Sequence, residues 1–290
     1  MSETTRLSLG TAQFGLPYGI VNSDGQVPTS ETLQMLDRAY QHGIRKLDTA
    51  SLYGASEATI GSSDKHDWTI TTKIAGLPAD CGDVAGWVEG ELKASLNALQ
   101  IEAVDTVLLH RPDDLLGPLG KELYDALAAC RANGLCKRLG VSLYSAGEVD
   151  PYLEHYALDT IQLPFSLVDR GLVTTGRARE LNEAGIRIQV RSIFLQGLLL
   201  MGVAEQVRRF PQAEPLWRAF AAWCSEQGVT AHEACLRFVF GQADLDAIIV
   251  GVDSAAQLDA LLKMVGAGPL AVPEDLATTD RDIIDPRRWL

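Results

Sequence analysis

Four side chains capable of acid–base chemistry follow three successive strand-like stretches. They are Asp48 and Tyr53 after residues 44–47, Lys73 after residues 68–72, and His110 after residues 104–109. A phenol has an ordinary pKa of about 10, but a nearby ammonium stabilises the phenolate and lowers that pKa. A carboxylate keeps the ammonium charged, and a histidine can hydrogen-bond a substrate oxygen. The set predicts a site that protonates a carbonyl oxygen while another group delivers hydride to its carbon.

Each of these residues, taken singly, has a more common structural explanation. Asp48 can cap a loop, Tyr53 can pack with its hydroxyl in water, Lys73 can extend from a strand end to solvent, and His110 can hold a turn. Their joint occurrence at three consecutive strand ends favours chemistry over coincidence. That interpretation requires a fold in which those strand ends meet.

Eight strand-like stretches alternate with helical ones, without a linker or a change of composition. The strands are predicted at residues 7–11, 44–48, 68–73, 104–109, 139–142, 160–163, 187–192 and 247–250. Eight βα units in 290 residues favour an α/β fold, a single (β/α)8 TIM barrel spanning residues 1–290. An open doubly wound sheet is disfavoured because the turn at residues 10–15 lacks a glycine-rich phosphate motif. Catalytic groups lie at the carboxyl ends of barrel strands, about 5 Å apart between neighbours, so the four side chains can converge.

The ends of the chain and the connections carry further expectations. The first strand begins within ten residues of the start, so no amino-terminal hairpin is expected before it. Residues 12–28 are predicted to form a loop, and the chain from about residue 266 an extended tail. The substrate pocket is expected to be shaped by two predicted loops, residues 111–118 and 202–211, and by the tail after residue 273.

Composition excludes several classes of partner. The net charge of −13 disfavours binding to nucleic acid or to anionic membranes. The five cysteines form no CxxC pair and no set with histidines, which predicts buried thiols in a reducing compartment and no metal site. The amino terminus has no long apolar run, so no secretory signal is visible and the expected location is cytoplasmic.

Several motifs accompany the four side chains in order along the chain. They are Leu47-Asp48-Thr49-Ala50 with Tyr53-Gly54 and Glu57, Thr72-Lys73, His110-Arg111-Pro112, Gly140-Val141-Ser142, Gln162 to Phe165 with Asp169-Arg170, Gln196 to Leu199, and Ile249 to Ser254 with Gln257-Leu258. This ordered set resembles the aldo-keto reductase family. The resemblance implies NAD(P)H-dependent reduction of a small aldehyde or ketone to an alcohol. It assigns Tyr53 as general acid, Lys73 and Asp48 as its tuning pair, and His110 as the residue that orients the substrate.

The resemblance also implies a set of cofactor-binding residues. Ser142 and Gln162 would hold the nicotinamide carboxamide, and two later segments would line the diphosphate and the adenosine end. The full set is Gly10, Thr11, Ser142, Gln162, Arg191, Ser192, Phe194, Gln196, Gly197, Leu198, Gly251, Val252, Asp253, Ser254 and Gln257. The start of a helix after Gly251 fits this role physically, because the amino end of a helix attracts phosphate.

Three positions depart from the family pattern. Arg191 stands where an aromatic residue often lies against the nicotinamide, and Leu143 stands where an asparagine often follows the strand-five serine. Because oxidised nicotinamide is cationic, Arg191 is expected to weaken binding of the oxidised form relative to the reduced form. Asp253 occupies a position at which a basic residue commonly binds the 2′-phosphate. NADPH is the predicted cofactor, with NADH possible.

Other functions remain open at this stage. A Schiff-base aldolase would need a desolvated lysine, and Lys73 is a candidate, although residues 160–163 on strand six contain none. Lys46 shares the face of Asp48 one layer deeper, which suggests a paired interior charge. A metallohydrolase would need two histidines near strand one, and no histidine precedes residue 42. A non-catalytic barrel that binds a nicotinamide cofactor as a sensor or regulatory subunit is the remaining alternative.

Overall fold

Eight parallel strands close into a barrel in the computed structural model, which describes residues 5–20, 25–64 and 67–289. Each strand pairs with the next in sequence, and the last strand pairs with the first from Leu7–Ile248 to Gly10–Gly251. The strands are β1 Leu7–Gly10, β2 Lys46–Asp48, β3 Thr69–Ile74, β4 Val104–Leu109, β5 Cys136–Ser142, β6 Thr160–Pro164, β7 Arg187–Arg191 and β8 Ala247–Gly251. The predicted (β/α)8 barrel is confirmed.

Helices follow or connect these strands. They are α1 Ala12–Gly15, α2 Thr29–Gln41, α3 Ser56–Gly61, α4 Val84–Leu99, α5 Gly120–Ala132, α6 Asp150–Leu153, α7 Gly171–Thr174, α8 Arg177–Glu183, α9 Val203–Arg209, α10 Glu214–Gln227, α11 Ala231–Phe240, α12 Ala255–Val265 and α13 Arg281–Ile284. Single 3₁₀ turns lie at Pro112–Leu116, Ala146–Glu148, Leu195–Leu200, Pro211–Ala213, Glu274–Leu276 and Pro286–Arg288.

Most strand residues are buried, as expected for parallel strands covered by helices. In β2, Leu47 is buried between two charged residues, Lys46 and Asp48, which alternate with it along the strand. Side chains of a strand point alternately to its two faces, so Lys46 and Asp48 share the interior face. The barrel interior is therefore partly polar, and this polar layer positions the site.

The connections differ from prediction in two places. Residues 12–28 begin with helix α1 rather than a loop, and residues 202–211 contain helix α9. Helices of four to seven residues span one or two turns, too few repeats to give a recognisable apolar periodicity. The described residues before β1 are only Thr5 and Arg6, and no hairpin strand occurs in them.

The carboxy-terminal tail is not extended, contrary to prediction. It forms the turn Glu274–Leu276, helix α13 and the turn Pro286–Arg288. Leu276 and Ile283 are buried, and Thr278 N–H donates to the Val168 carbonyl oxygen at 2.8 Å. Docking of two apolar side chains onto the barrel, rather than local sequence preference, orders this segment.

The cysteines are all free thiols. Four are buried, whereas Cys81 is partly exposed, so the prediction of five buried thiols is wrong at that position. Within the described part of the chain, no helix is long and apolar enough to cross a bilayer.

Candidate active site

A buried ion pair joins the ends of β2 and β3. Lys73 Nζ donates to Asp48 Oδ2 at 2.7 Å and to the Thr49 carbonyl oxygen at 3.1 Å. Both side chains are at most 5% exposed. Burial by itself lowers the pKa of Lys73, but Asp48 and then Tyr53 outweigh it, so the pKa lies above its ordinary value. Lys73 therefore remains protonated at neutral pH.

Tyr53 and His110 lie beside this pair. Lys73 Nζ is 5.1 Å from the centroid of the Tyr53 ring, and the His110 ring meets the Tyr53 ring edge-on at a centroid distance of 5.9 Å. Burial, then Lys73 and Arg191, lower the pKa of His110 to about 4. The structure thus brings the four predicted catalytic side chains together, with His110 neutral at physiological pH.

Close backbone contact fixes the loop that carries Tyr53. A Cβ atom added to Gly15 would lie 1.8 Å from the Tyr53 carbonyl oxygen, so α1 packs there without any side chain between. Gly54 has a φ of +56°, and a Cβ there would lie 2.4 Å from the Gly15 carbonyl oxygen. Buried hydroxyls add to the fixation, because Ser56 Oγ donates to Thr11 Oγ1 at 2.7 Å. Helix α1, absent from the sequence prediction, is therefore what holds the Tyr53 loop.

A chain of amides continues from Asp48 into the barrel. Gln162 Nε2 donates to Asp48 Oδ1 at 2.7 Å and to Gln189 Oε1 at 3.1 Å, and Gln189 Nε2 donates to Thr71 Oγ1 at 3.0 Å. All these side chains are buried. Gln162 thus orients the carboxylate that pairs with Lys73, a role that the sequence did not indicate. Gln189 and Thr71 were also missed, because nothing in one sequence distinguishes them from other strand residues.

A cavity of about 370 Å³ opens at this end of the barrel. Asp48, Tyr53 and Arg191 line it together with the ends of β1 and β8. The wall also contains Gly10, Thr11, Ala12, Gln13, Tyr18, Gly19, Ser192, Ile193, Phe194, Gln196, Gly197, Leu200, His232, Ile249, Val250, Gly251, Asp253 and Gln257. The proton-donor candidate and most of the predicted cofactor residues therefore border one space.

The predicted residues divide between the wall and the layer behind it. In the wall are Gly10, Thr11, Arg191, Ser192, Phe194, Gln196, Gly197, Gly251, Asp253 and Gln257. Outside the wall are Lys73, His110, Ser142, Gln162, Leu198, Val252 and Ser254. Ser142 and Gln162 are at most 3% exposed, so this arrangement of side chains does not present them to the cavity.

The sequence prediction missed several wall residues. Gln13 and Tyr18 come from the segment assigned to a loop, and His232 comes from α11, far along the chain. His232 meets Phe194 at a ring-centroid distance of 5.1 Å, which explains how a residue of α11 reaches the wall. The only available signal for Gln13 was its place directly after the first strand.

The loop after β7 has an unusual backbone. Ser192, Leu195 and Gln196 have φ values of 59°, 50° and 54°, and Gly197 follows at 97°. Non-glycine residues rarely adopt this left-handed conformation, which costs about 1–2 kcal/mol per residue. Ser192, Gln196 and Gly197 all line the cavity, so the strained segment forms part of the site.

The three departures from the family pattern have distinct surroundings. Arg191 Nη2 donates to the Leu143 carbonyl oxygen at 3.0 Å, and its guanidinium lies 4.9 Å from the centroid of the Tyr144 ring. Leu143 itself is buried and presents no polar side chain. Asp253 N–H donates to Gln257 Oε1 at 2.9 Å, which places both residues at the start of α12.

The protonation of Lys73 separates two reaction classes. A Schiff-base lysine must be a neutral amine to attack a carbonyl carbon. Here Asp48 keeps Lys73 charged, and the ammonium is 1% exposed. Lys46 is also unsuitable, because its Nζ donates to the Asp246 carbonyl oxygen at 2.7 Å in the barrel floor. The geometry fits proton delivery by Tyr53 better than aldolase chemistry.

Comparison with known proteins agrees with this arrangement. The sequence model of the aldo/keto reductase family matches residues 6–280. The chain belongs to the aldo/keto reductase family. It is an NAD(P)H-dependent enzyme. A similar protein, oxidoreductase sirO of Leptosphaeria maculans, is 29% identical over 295 residues, which cover 90% of this chain and 88% of that protein.

Solved structures of family members share the fold. Aldo-keto reductase AKR11C1 from Bacillus halodurans, in its holo form, superposes with a TM-score of 0.70 at 20% identity, covering 98% of this chain and 95% of that one. Glycerol dehydrogenase AKR11B4 from Gluconobacter oxydans gives a TM-score of 0.69 at 21% identity, covering 93% and 88%. These likenesses establish the reductase fold for nearly the whole chain.

Proposed function

We propose that the protein reduces a small aldehyde or ketone to the alcohol with NADPH, and that the Tyr53 hydroxyl gives the proton. The observation that carries this proposal is the buried Lys73–Asp48 pair, whose ammonium lies 5.1 Å from the Tyr53 ring at the wall of the cavity. A charged, desolvated ammonium beside a phenol serves no evident packing purpose. It does stabilise the phenolate that remains once the proton has left.

The wall of the cavity fits a nicotinamide dinucleotide. Gly10, Gly197 and Gly251 contribute wall positions without side chains, and a Cβ on Gly251 would lie 2.3 Å from Gln13 Nε2. Ser254 caps α12 by accepting from Gln257 N–H at 3.2 Å, and the amino end of this helix is suited to a phosphate. When bound, the reduced cofactor supplies the hydride. We propose that Ser142 and Gln162 reach the carboxamide only after a side-chain adjustment, since neither lines the wall.

The proton passes from Tyr53 Oη to the substrate oxygen as that oxygen gains negative charge. Lys73 then faces a phenolate, and Asp48 keeps Lys73 charged throughout. His110 contributes as a neutral ring. Its Nδ1 is buried without a hydrogen-bond partner in the described residues, and a buried unpaired N–H is costly. We therefore infer that the His110 proton is on Nε2, where it can be donated to the substrate oxygen.

The choice of NADPH over NADH rests on family resemblance, and one residue opposes it. Asp253 lies in the wall, where its carboxylate would repel a 2′-phosphate. We propose NADPH as the cofactor. Asp253 should reduce the difference in affinity between NADPH and NADH. Titration of both cofactors into the parent protein and Asp253→Ser tests this. The variant should gain affinity for NADPH alone; an equal gain for NADH contradicts the repulsion.

Arg191 bears on the redox state of the cofactor. A guanidinium at the cavity wall should disfavour the cationic oxidised ring, so the reduced form should bind more tightly than the oxidised form. The ratio of the two dissociation constants, compared between the parent protein and Arg191→Tyr, isolates the effect of charge. A ratio that the variant preserves contradicts it.

The decisive experiment compares the parent protein with Tyr53→Phe. NADPH absorbance is followed against a panel of small aldehydes and ketones, and NADPH binding is followed by tryptophan fluorescence. We expect kcat to fall by about 10²–10⁴-fold, the usual contribution of a general acid, with cofactor affinity unchanged. Equal rates in the two proteins would remove Tyr53 from the mechanism. NADPH binding without reduction of any carbonyl would favour the non-catalytic sensor instead.

A further inference from the structure

Arg191 is a cation in the cavity wall that has no counter-ion among the residues the structure describes. It ends β7 and lines the same space as Asp48 and Tyr53. Its contacts are the Leu143 carbonyl oxygen at 3.0 Å, Ser192 Oγ at 3.4 Å and the Tyr144 ring. None of these groups is charged. Among the described residues, no carboxylate lies within 4.0 Å of the guanidinium, and several of its N–H donors have no acceptor.

The other charges near Arg191 are already neutralised. Asp48 is paired with Lys73, and Arg287, whose guanidinium lies 3.9 Å from the centroid of the same Tyr144 ring, is paired with Asp285 and Glu148. His110 is neutral, and Arg191 is one of the two cations that lower its pKa. The reacting end of the cavity therefore carries net positive charge, although the whole chain carries −13.

A half-buried guanidinium is stabilised by an anion that satisfies its donors, and a carboxylate does so with two parallel hydrogen bonds. The phosphates of the cofactor are a second kind of anion that Arg191 could bind. Arg191, however, lines the same cavity as Asp48 and Tyr53, and its bond to the Leu143 carbonyl oxygen holds the guanidinium at the carboxyl end of β5, where the substrate oxygen is expected to react. We propose that Arg191 binds a carboxylate carried by the substrate, so that the preferred substrates are carbonyl compounds with an anionic group. This inference rests on the reductase activity proposed above.

Matched pairs of acid and ester test the proposal. Succinic semialdehyde and para-carboxybenzaldehyde are each compared with their methyl esters, and kcat/KM is measured with NADPH for the parent protein, Arg191→Met and Arg191→Lys. We expect the parent to prefer the acids, and Arg191→Met to lower that preference by about ten- to a hundredfold, the loss of one charge-assisted hydrogen bond. Arg191→Lys should keep part of the preference. Because Arg191 also borders the proposed cofactor site, the quantity compared is the acid-to-ester ratio of kcat/KM within each variant, not the rate itself.

Arg287→Met is the control variant. It removes a cation that stacks on the same Tyr144 ring but is already paired with carboxylates, so the preference for acid over ester should not change. An acid preference that is absent in the parent protein, or unchanged in Arg191→Met, overturns the proposal. So does a loss of NADPH affinity in Arg191→Met with the acid preference intact, because Arg191 would then serve a cofactor phosphate.

A binding measurement separates this proposal from the proposed reductase activity. Benzoate is titrated into the NADPH-saturated protein, and its binding is recorded as a change in tryptophan fluorescence. Binding that is lost in Arg191→Met and kept in Arg287→Met supports the carboxylate site even if no carbonyl compound is reduced. Reduction of the esters without any benzoate binding overturns the carboxylate site and leaves the reductase activity standing.

Discussion

At the scale of single residues, the site depends on charges that are kept away from water. Lys73 and Asp48 neutralise each other across 2.7 Å, and Gln162 satisfies the second carboxylate oxygen of Asp48. Breaking such a buried pair leaves one charge without a partner, which costs far more than the pair contributes. The two residues that we propose prepare Tyr53 for proton transfer are therefore also sensitive points for stability.

Lys73→Met should destabilise the fold by about 3–5 kcal/mol, because Asp48 would remain charged in a buried position. Urea unfolding measures the change, and the double variant with Asp48→Leu should recover part of it. Lys121→Met serves as control, since its pair with Asp125 is exposed and its loss should hardly change the free energy of unfolding. Equal decreases in the free energy of unfolding for Lys73→Met and Lys121→Met would contradict a buried pair.

His110 should make stability fall in acid. Its pKa in the folded protein is about 4, below the ordinary 6.5, so between these values the unfolded chain binds a proton that the folded protein does not. The free energy of unfolding should decrease as pH falls through that window, and His110→Gln should flatten the decrease. His42→Gln, at an exposed position, is the control. If the free energy of unfolding falls with pH as steeply in His110→Gln as in the parent protein, the titrating group is not His110.

At the scale of elements, the contact between α1 and the Tyr53 loop fixes the position of Tyr53, the proposed proton donor. The two segments meet through Gly15 and Gly54 with no side chain between them. A rigid contact of this kind transmits a change in α1 directly to the position of Tyr53. Helix α1 also borders the cavity directly, because its residues Ala12 and Gln13 line the wall.

Gly15→Ala should displace the Tyr53 loop, since the new Cβ would lie 1.8 Å from the Tyr53 carbonyl oxygen. We expect a loss of about 1–3 kcal/mol in stability, typical of overpacking, together with a lower kcat. Gly90→Ala, on α4 with no atom near its added Cβ, should leave kcat unchanged and stability equal or higher. Full activity in Gly15→Ala would show that the loop tolerates the shift.

At the scale of the whole molecule, the tail ties together loops that follow different strands. Thr278 bonds to Val168 after β6, Arg287 pairs with Glu148 after β5, and Trp289 packs on Phe210 after β7 at a centroid distance of 5.3 Å. These loops follow the carboxyl ends of their strands, at the end of the barrel where the site lies. The tail thus braces that end, and Tyr144, beside both Arg191 and Arg287, connects it to the cavity wall.

Ile283→Ala should cost about 2–5 kcal/mol, because it removes a buried side chain of α13 from its packing. Ile284→Ala, one residue further and only partly buried, should cost less. Thermal unfolding of the two variants measures the difference. Small and equal effects would mean that the tail does not dock as described.

The sequence by itself determined the barrel and predicted the four side chains that the structure brings together at the candidate site. Strand and helix periodicities repeat over many residues, and Asp48, Lys73 and His110 each follow a strand, so a regular fold brings them together. The tertiary structure alone decided what surrounds them. Helix α1 is too short to show periodicity. The partners of Asp48, the docking of the tail and the surroundings of Arg191 depend on residues far apart in sequence. Such contacts are set by packing across the barrel, which the order of residues along one strand does not specify.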